Sequence, residues 1–513
     1  MPEYDLPRLF DTVIHMLQDA GGKSPGHIAL RCEGREMTYQ SFVRCVAGFA
    51  RELEGLGARG RRVALICGNS IEIVVASFSA YAAGAQLVPI NPLYTQRELS
   101  FILEDADPVV TIYDTAKAGD VEPLIDTVET MTGIAIGADS RTLDDWVDQA
   151  LALPLPLPTP EDFAVLQYTG GTTGRPKGVM ITHGQIALNM CQREVAVPTV
   201  TEDERVLCVM PLFHVFATSM CMHLAVQCRG TMVILKRYHP ETTVQALVRE
   251  KITFFPAGPT VFNGLLAFDG FQKADFSYLR CCVSGSAPLA EETLKTWKKV
   301  TGIEIVEGFG QSEAGPVLTM TTVEDTPLPG SVGKPLPYTA MQIVDVETGT
   351  KVLGPGEQGE IRAKGPQIMS GYRNRPDETA QALRDGWLYT GDIGECDEDG
   401  NFFIRDRKKD MAIVGGYNVY PREIDEVLYA HPAVLEAAAI GIKDNYLGEV
   451  IYAQVVLKKG VPATVDDLES YCRENLAKYK VPRKLVISHK IPKTTVGKID
   501  KAALRSQMKE INT

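Results

Sequence analysis

A glycine- and threonine-rich segment, residues 168–178, directly follows an apolar run at residues 164–168. Glycine lets the backbone approach a ligand closely, hydroxyl groups donate hydrogen bonds, and lysine supplies positive charge. The segment therefore predicts a loop that cradles phosphate, formed by Thr169, Gly170, Gly171, Thr172, Thr173, Gly174 and Lys177. An ordinary surface loop is the alternative, since glycine and threonine are common in turns. No Gly-Lys-Ser/Thr ending is present, which argues against a P-loop NTPase.

Further segments that carry glycine, histidine or charged residues follow in a fixed order along the chain: residues 211–214, 284–289, 308–313, 389–392, 406–418 and 492–498. Together with the cradle, they resemble the motifs of the adenylate-forming superfamily, which includes acyl-CoA synthetases, luciferases and peptide-synthetase adenylation domains. The resemblance covers essentially the whole chain. The amino-acid sequences of residues 306–313 and 406–421 are most similar to those of bacterial fatty acyl-CoA ligases.

The resemblance implies a site for ATP. Small residues and a flat ring would enclose the adenine, and the family's usual Tyr is replaced by Phe309, which can stack but lacks a hydroxyl. Ser312 stands where the family mostly has Thr. The residues implied are Ser286, Ala287, Pro288, Gly308, Phe309, Gly310 and Ser312 around the base, Asp392 for both ribose hydroxyls, and Arg407 near ribose and phosphate. A core aromatic and an Asx turn are the structural alternatives for Phe309 and Asp392.

Three residues are implied to be catalytic. Lys498 would neutralise the charge that develops between the acid and the α-phosphate. Glu313, with Thr169, would bind Mg²⁺, which prefers oxygen ligands. His214 matches a histidine beside the acyl carboxylate, where it can donate a hydrogen bond and need not be a general base. A solvated glutamate and a core histidine are the alternatives for Glu313 and His214.

The resemblance also implies a moving part. Lys409 falls at the family's hinge between two domains, within a basic cluster for which a solvated charge run is the alternative. Gly415, Gly416, Tyr417 and Asn418 would line the tunnel for the pantetheine arm of coenzyme A, with a plain glycine turn as the alternative. Residues 492–498 resemble a lysine-acetylation segment, so a lysine acetyltransferase acting on Lys498 is a further hypothesis.

The elements that must position these residues follow from hydrophobic periodicity. Residues 62–67 predict a strand, 68–70 a turn with a helix N-cap, 71–83 a helix and 85–90 a second strand. Apolar runs at 231–235, 252–255, 279–283 and 303–306 alternate with helix-length segments. We expect an α/β fold, with a large domain of helix-covered, mainly parallel sheets (residues 1–406) and a small mobile α+β domain (residues 407–513). In parallel sheets, ligands bind at the carboxyl ends of the strands.

Composition limits the other classes of function. Formal net charge is −13, which disfavours nucleic-acid binding, although residues 409–513 carry 16 Lys and Arg against 13 Asp and Glu, a balance of +3. The 11 cysteines form no Cys-x-x-Cys pair, and the amino terminus does not resemble a signal peptide. We therefore expect a cytoplasmic protein without disulfides. The longest apolar stretch, residues 73–90, is interrupted by Gly84, Gln86 and Pro89, so we expect no transmembrane segment.

The substrate is predicted from the absence of charge. Residues 209–228 contain no Lys, Arg, Asp or Glu, and a pocket formed by Val215, Phe216, Met220 and Val317 would suit an apolar monocarboxylic acid. Taken with this apolar pocket, the resemblance to fatty acyl-CoA ligases implies that the chain adenylates a medium- or long-chain fatty acid and transfers it to coenzyme A. An aryl-acid CoA ligase and an acyl-AMP ligase that loads a carrier protein remain alternatives. The sequence leaves the chain length of the acid open, and a homodimer is a further hypothesis.

Overall fold

The computed structural model describes residues 6–7, 9–127, 131–137, 142–169, 176–414, 417–444, 446–494 and 497–511. The predicted glycines and threonines at 170–174, together with Gly415 and Gly416, lie outside these residues. Within them, the α-helices are α1 (Val13–Lys23), α2 (Tyr39–Gly55), α3 (Ile71–Ala82), α4 (Gln96–Ala106), α5 (Ala118–Ile125), α6 (Leu143–Val147), α7 (His183–Ala196), α8 (Val215–Ala217), α9 (Leu224–Gln227), α10 (Pro240–Arg249), α11 (Pro259–Leu266), α12 (Glu291–Thr301), α13 (Pro376–Ala382), α14 (Pro421–Ala430), α15 (Val465–Asn475) and α16 (Lys501–Ile511). A π-helical segment, Thr218–His223, joins α8 to α9.

The strands form four sheets. In chain order they are β1 (Ile28–Cys32), β2 (Arg35–Thr38), β3 (Arg62–Ile66), β4 (Gln86–Pro89), β5 (Pro108–Asp114), β6 (Thr132–Ile136), β7 (Phe163–Thr169), β8 (Lys177–Thr182), β9 (Arg205–Cys208), β10 (Thr231–Ile234), β11 (Phe254–Ala257), β12 (Cys281–Ser284), β13 (Ile305–Gly310), β14 (Val317–Met320), β15 (Lys334–Pro335), β16 (Ala340–Val344), β17 (Gly359–Lys364), β18 (Gly371–Tyr372), β19 (Leu383–Arg384), β20 (Trp387–Cys396), β21 (Phe402–Arg407), β22 (Ala412–Val414), β23 (Tyr417–Val419), β24 (Val434–Asp444), β25 (Gly448–Leu457) and β26 (Lys484–Ile487).

Two of these sheets are mainly parallel and covered by helices. One has the order β15-β14-β13-β12-β11-β9-β10-β1-β2, and the other β18-β8-β7-β4-β3-β5-β6. In the first, β9 to β13 together with β1 form the parallel core; in the second, β3 to β7 do. The predicted α/β class is confirmed, and the buried, β-branched strands are what a parallel sheet covered on both faces requires.

The other two sheets are mostly antiparallel. One joins β16, β17, β20 and β19, with β21 beside β20; the other joins β23, β22, β25 and β24, with β26 beside β25. The second of these has its own apolar core, formed by residues from Ala412 to Leu485, separate from the main core of the parallel sheets. The expected division at residue 406 stays a prediction.

The local predictions hold for most elements. Ser70 caps α3 as expected, since its hydroxyl accepts a hydrogen bond from the Ile73 N–H at 3.2 Å. Strands β11, β12 and β13 each begin two residues later than the apolar runs suggested. Before β11 the physical reason is visible: the Ile252 N–H bonds to the Leu247 carbonyl at the end of α10, not to a neighbouring strand. No helix in the described part of the chain has both the length and the apolar character needed to cross a membrane.

Candidate active site

The predicted polar residues gather where strands of both parallel sheets end. Thr169 is the last residue of β7, Ser284 the last of β12 and Gly310 the last of β13. Gln167 on β7 and Ser312 just after β13 line the same cavity, so the carboxyl ends of the two sheets face a common space. This is the location that the parallel topology predicts for a ligand.

Lys177, Tyr372 and Glu313 form a connected set beside the cradle. Thr169 pairs with Lys177 across the β7–β8 hairpin. The Lys177 ammonium lies 4.3 Å from the centroid of the Tyr372 ring, and the Tyr372 hydroxyl donates a 2.8 Å hydrogen bond to Glu313. Burial and the Glu313 carboxylate raise the pKa of Tyr372, so its hydroxyl keeps its proton and remains a donor. The sequence analysis missed Tyr372, because no motif surrounds it; pairing of β18 with β8 brings it here.

The segment after β12 carries hydroxyl groups that lack partners. Ser284 Oγ and Ser286 Oγ are buried and have no hydrogen-bond partner among the described residues. Ser286 also has a φ of 70°, a left-handed conformation that is uncommon for a residue with a side chain and that often marks a functional site. Ala287 is half-buried and Pro288 is exposed. Unsatisfied buried hydroxyls are groups that a polar ligand would satisfy.

Phe309 of β13 packs on the main core, and the glycines on either side of it allow the neighbouring backbone to come close. Phe309 is half-buried and packs against the edge of the main core. A Cβ on Gly310 would lie 1.9 Å from the Pro316 carbonyl oxygen, and one on Gly308 would lie 3.0 Å from the Thr319 carbonyl oxygen. Close approach of β13 and β14 therefore requires glycine at position 310, whatever ligand is bound.

Asp392 and Arg407 form an ion pair across β20 and β21. Asp392 Oδ1 lies 2.7 Å from Arg407 Nε, whereas Asp392 Oδ2 is buried without a partner in the described part of the chain. Burial raises the pKa of Asp392 to about 6; the positive charges of Arg407 and Lys498 oppose this shift, and the Glu313 carboxylate adds to it. The free oxygen is thus an acceptor available to a hydroxyl-bearing ligand.

Lys498 reaches this site from a tight turn near the carboxyl terminus. Its backbone N–H bonds to Thr494 Oγ1, and a bridge between Lys493 and Ile499 closes the turn. Gly497 in the turn has a φ of 79°, and a Cβ there would lie 3.1 Å from Thr260 Oγ1 on α11. Burial, then the charge of Arg407, lower the pKa of Lys498 to about 8, against the opposing effect of Asp392. The structure therefore brings Lys498 together with Asp392 and Arg407.

His214 faces the same lysine. Its Nδ1 accepts a 3.3 Å hydrogen bond from the Phe216 N–H at the start of α8, so the remaining proton belongs on Nε2. Burial, followed by the charge of Lys498, lowers the pKa of His214 to about 3. Such an imidazole is neutral and can donate a hydrogen bond from Nε2, but it is too weak a base to hold a proton at neutral pH.

The predicted hinge residue lies between two anchored neighbours. Lys408 pairs with Glu360 on β17 at 2.9 Å, and Asp410 pairs with Arg505 on α16 at 2.6 Å. Lys409 itself is exposed in the turn that separates them. The residue before Lys409 is thus anchored to the sheet of β17 and β20, and the residue after it is anchored to the carboxyl-terminal helix α16.

Of the residues predicted to line the pantetheine tunnel, two lie within the described chain. Tyr417 and Asn418 belong to β23, where Asn418 pairs with Ile413 through the backbone. The Tyr417 side chain is 59% exposed and stacks on Tyr479, with ring centroids 4.7 Å apart. Tyr417 thus lies on the surface of the small sheet, and the predicted role of both residues stays a prediction.

An apolar cavity extends from the site into the main core. Its lining residues are Leu65, Ile73, Ser77, Tyr81, Leu87, Pro89, Val165, Gln167, Ile181, Ile186, Leu212, Val215, Thr218, Ser219, His223, Ser312, Gly315 and Pro316. Of the predicted pocket residues, Val215 lines it. Phe216 packs against Gly285 instead, Met220 is fully buried, and Val317 bonds Asn189 through its backbone.

The oxygen atoms of the site suit both a magnesium ion and a nucleotide. Among the described residues, no cluster of three or more His, Cys, Asp or Glu could hold a metal by itself. A Mg²⁺ ion usually binds through one or two protein oxygens and completes its shell with phosphate and water, so Glu313 with Thr169 suits Mg²⁺. The unpaired oxygens of Asp392, Ser284 and Ser286 suit the hydroxyls and ring nitrogens of a nucleoside.

Comparison with known proteins gives consistent matches over the whole chain. The model of the AMP-binding enzyme family matches residues 17–373, and that of the AMP-binding enzyme C-terminal domain matches residues 423–498. A long-chain-fatty-acid–CoA ligase of Bacillus subtilis is 38% identical, covering 97% of this chain and 94% of its own. A feruloyl-CoA synthase of an Amycolatopsis species is 36% identical, covering 94% and 96%. ATP-bound MatB from Rhodopseudomonas palustris superposes with a TM-score of 0.91 at 30% identity, covering 98% and 100%.

Proposed function

This chain belongs to the AMP-binding enzyme family and is an AMP-forming acyl-CoA synthetase, and we propose that its acid is an apolar one, a medium- or long-chain fatty acid. The observation that carries this proposal is the meeting of Lys498, Asp392 and His214 beside an apolar cavity, which is lined by Val215, the residue after His214. The similarity to a long-chain-fatty-acid–CoA ligase supports the choice of acid.

In the first half-reaction, a carboxylate oxygen of the acid attacks the α-phosphorus of ATP. The bond to the pyrophosphate oxygen breaks, and acyl-AMP and pyrophosphate form. We propose that Lys498 offsets the negative charge that accumulates at this phosphorus, while Asp392 Oδ2 accepts the ribose hydroxyls and Arg407 fixes the Asp392 carboxylate. Mg²⁺, when bound by Glu313 and Thr169, supplies positive charge against the phosphates.

His214 orients the acid in this proposal. Its neutral imidazole donates from Nε2, and a carboxylate is a good acceptor for that proton. Because burial lowers the pKa of His214 to about 3, the side chain acts as a donor and not as the base of the reaction. The acid needs no base, since it is already ionised at neutral pH.

In the second half-reaction, the thiolate of coenzyme A attacks the acyl carbonyl carbon, the bond to AMP breaks, and acyl-CoA leaves. We propose that the chain turns at Lys409 between the two steps, exchanging Lys498 for the surface that carries Tyr417 and Asn418. The anchors of Lys408 and Asp410 on opposite sides of Lys409 support this assignment.

The test measures pyrophosphate release from ATP with acids that differ in length and aromaticity, with and without coenzyme A. Pyrophosphate and AMP with apolar acids, and thioester only when coenzyme A is present, are expected. Release of ADP, or no nucleotide cleavage with any acid, would refute the proposal. Adenylation without transfer to coenzyme A would instead favour a carrier-protein acceptor.

Two further assignments concern the location of the enzyme and the modification of Lys498. We propose a cytoplasmic enzyme, because its 11 cysteines carry free thiols and ten of them are buried. Acetylation of Lys498 is also proposed as a means of inactivation, since a lowered pKa leaves more of the reactive free amine. Incubation with an acetyl donor and acetyltransferase, followed by mass spectrometry and assay, tests this. A homodimer stays a prediction, which light scattering of the purified protein can check.

A further inference from the structure

The deep end of the apolar cavity carries polar groups that the fold leaves unpaired. Tyr81 and His223 both line the cavity, and their ring centroids lie 6.0 Å apart. The Tyr81 hydroxyl and both ring nitrogens of His223 are buried and have no hydrogen-bond partner in the described part of the chain. Leaving a buried polar group unpaired is unfavourable, so such a pair in an apolar cavity needs an explanation.

The position of this pair within the cavity follows from two helices. Asn69, just before α3, bonds the backbone of Met210 and Leu212, which fixes the start of α3 beside the segment that leads to His214. Ile73 and Tyr81 line the cavity from the same face of α3, eight residues apart. At about 1.5 Å per residue, Tyr81 lies about 12 Å further along the helix than Ile73.

A second helix leads to the same depth. The chain from His214 continues through α8 and the π-helical segment to His223, which ends that segment. A π-helical turn changes which side chains face a cavity, and such turns are frequent at functional sites. Two elements that begin near the catalytic histidine thus place a phenol and an imidazole together, far from the reacting carboxylate.

Both groups are uncharged. Burial, followed by the nearby His183, lowers the pKa of His223 to about 3, and burial raises the pKa of Tyr81. The pair therefore offers neutral donors and acceptors and no positive charge. A second carboxylate at this depth would be buried without a countercharge, whereas a hydroxyl or carbonyl oxygen would satisfy both side chains.

We infer that the preferred acid carries an uncharged hydroxyl or carbonyl oxygen at the far end of its apolar tail, held by Tyr81 and His223. This inference rests on the proposed acid activation and adds a substrate class to it. Two sources share the required chemistry: a fatty acid oxygenated at its ω end, and an aryl acid with a hydroxyl group on the ring. The tail between the two ends stays apolar, because most of the remaining lining residues are apolar and the hydroxyls of Ser77 and Thr218 already bond to backbone carbonyls.

The experiment compares kcat/KM for pyrophosphate release within matched pairs of acids, using the full chain. One pair is decanoic and ω-hydroxydecanoic acid, and the other is cinnamic and para-hydroxycinnamic acid; decanedioic acid serves as the charged comparison. We expect the hydroxylated member to be favoured by about tenfold or more in at least one pair, because an acid that lacks the hydroxyl leaves the buried polar groups of the site unpaired. A preference in the decanoic pair would indicate an ω-oxygenated fatty acid, and one in the cinnamic pair a hydroxylated aryl acid. Decanedioic acid is expected to be a poor substrate.

Substitutions can distinguish a role of Tyr81 and His223 in binding the substrate oxygen from a role in packing of the core. Tyr81→Phe removes only the unpaired hydroxyl, so we expect the preference to fall about tenfold with no loss of thermal stability. Tyr39→Phe is the matched control, because the Tyr39 hydroxyl donates to the carbonyls of Ala225 and Gly230 at 3.0 and 2.7 Å. That control should lose stability and keep the preference. His223→Phe tests the imidazole in the same way.

The outcomes distinguish this inference from the proposed function. Efficient use of decanoic and cinnamic acids with no preference for their hydroxylated partners would overturn the inference and leave the ligase activity standing. A preference that Tyr81→Phe and His223→Phe leave unchanged would also overturn it. Failure of every acid to release pyrophosphate would overturn both. The comparison in the unmodified protein needs no variant, so it decides the matter even if a variant does not fold.

Discussion

Asp392 and Arg407 are direct partners on adjacent strands, 2.7 Å apart, yet only one of the two Asp392 carboxylate oxygens has a partner in the described chain. Arg407 therefore fixes the orientation of the carboxylate without saturating it. The second oxygen of Asp392 is therefore left available as an acceptor for a hydroxyl-bearing ligand.

Replacing Asp392 by Asn should weaken ATP use. The change removes the charge that pairs with Arg407 and one acceptor for ribose, and hydrogen bonds to charged groups are worth about 1.5–3 kcal/mol. We expect kcat/KM for ATP to fall roughly 10- to 100-fold, measured by pyrophosphate release. Glu395→Gln, which breaks an ion pair with Arg405 on the same two strands, is the control and should leave ATP use close to normal. Equal losses in both variants would argue against a role in nucleotide binding.

Loss of the Lys498 ammonium should separate the two half-reactions. Removing one stabiliser of transition-state charge typically costs about 100- to 1,000-fold. Lys498→Ala is expected to lose that much in acyl-AMP formation and little in thioester formation from supplied acyl-AMP. Lys493→Ala, on the same turn and paired with Glu436, is the matched control. A comparable loss in both half-reactions would exclude a role specific to adenylation.

The pH dependence of adenylation should have two limbs. Asp392 has its pKa raised to about 6 and works as a carboxylate, so activity should fall as pH drops through that value. Lys498 has its pKa lowered to about 8 and works as a cation, so activity should fall as pH rises through that value. A profile of kcat/KM for ATP against pH checks both apparent values.

The upper limb can be assigned by substitution. Lys498→Arg keeps its charge at every pH studied, so the fall near pH 8 should disappear even if the absolute rate is lower. Persistence of that fall in the Arg variant would assign it to another group.

Stiffening the hinge should slow the second half-reaction. Lys409→Pro fixes the backbone φ between the anchors of Lys408 and Asp410, which hinders rotation there. We expect thioester formation to slow by at least about tenfold while adenylation changes less. Lys409→Ala removes the side chain but leaves the backbone free, and it should affect both steps little. Rapid-quench measurement of each half-reaction gives the comparison.

The Tyr372 hydroxyl should matter for the metal requirement. Tyr372→Phe removes the 2.8 Å hydrogen bond to Glu313 and keeps the ring under Lys177. Because groups that orient a metal ligand typically change metal affinity about 10- to 100-fold, the Mg²⁺ concentration for half-maximal adenylation should rise by that order. Tyr113→Phe breaks a similar 2.9 Å bond between Tyr113 on β5 and Glu122 on α5, and it should leave the requirement unchanged. An unchanged requirement in both would mean that Glu313 needs no orientation by Tyr372.

Local sequence determined most of the elements and many candidate residues. Alternating apolar runs indicated the parallel strands, Ser70 marked the start of α3, and the ordered motifs indicated Lys498, Asp392, Glu313 and His214. These features are encoded within short windows, because side-chain periodicity, capping and glycine turns depend on neighbours in the chain. These features can therefore be predicted without knowledge of any tertiary contact.

Tertiary structure alone decided which side chains meet and in which charge state. Tyr372 reaches Glu313 because β18 pairs with β8, and Tyr81 meets His223 because α3 packs beside the π-helical segment. Neither pair has a signature in the sequence, since the partners are 59 and 142 residues apart. The lowered pKa values of Lys498 and His214 likewise arise from burial between distant segments. Packing sets local solvation, and solvation is a property of the folded molecule rather than of any stretch of its chain.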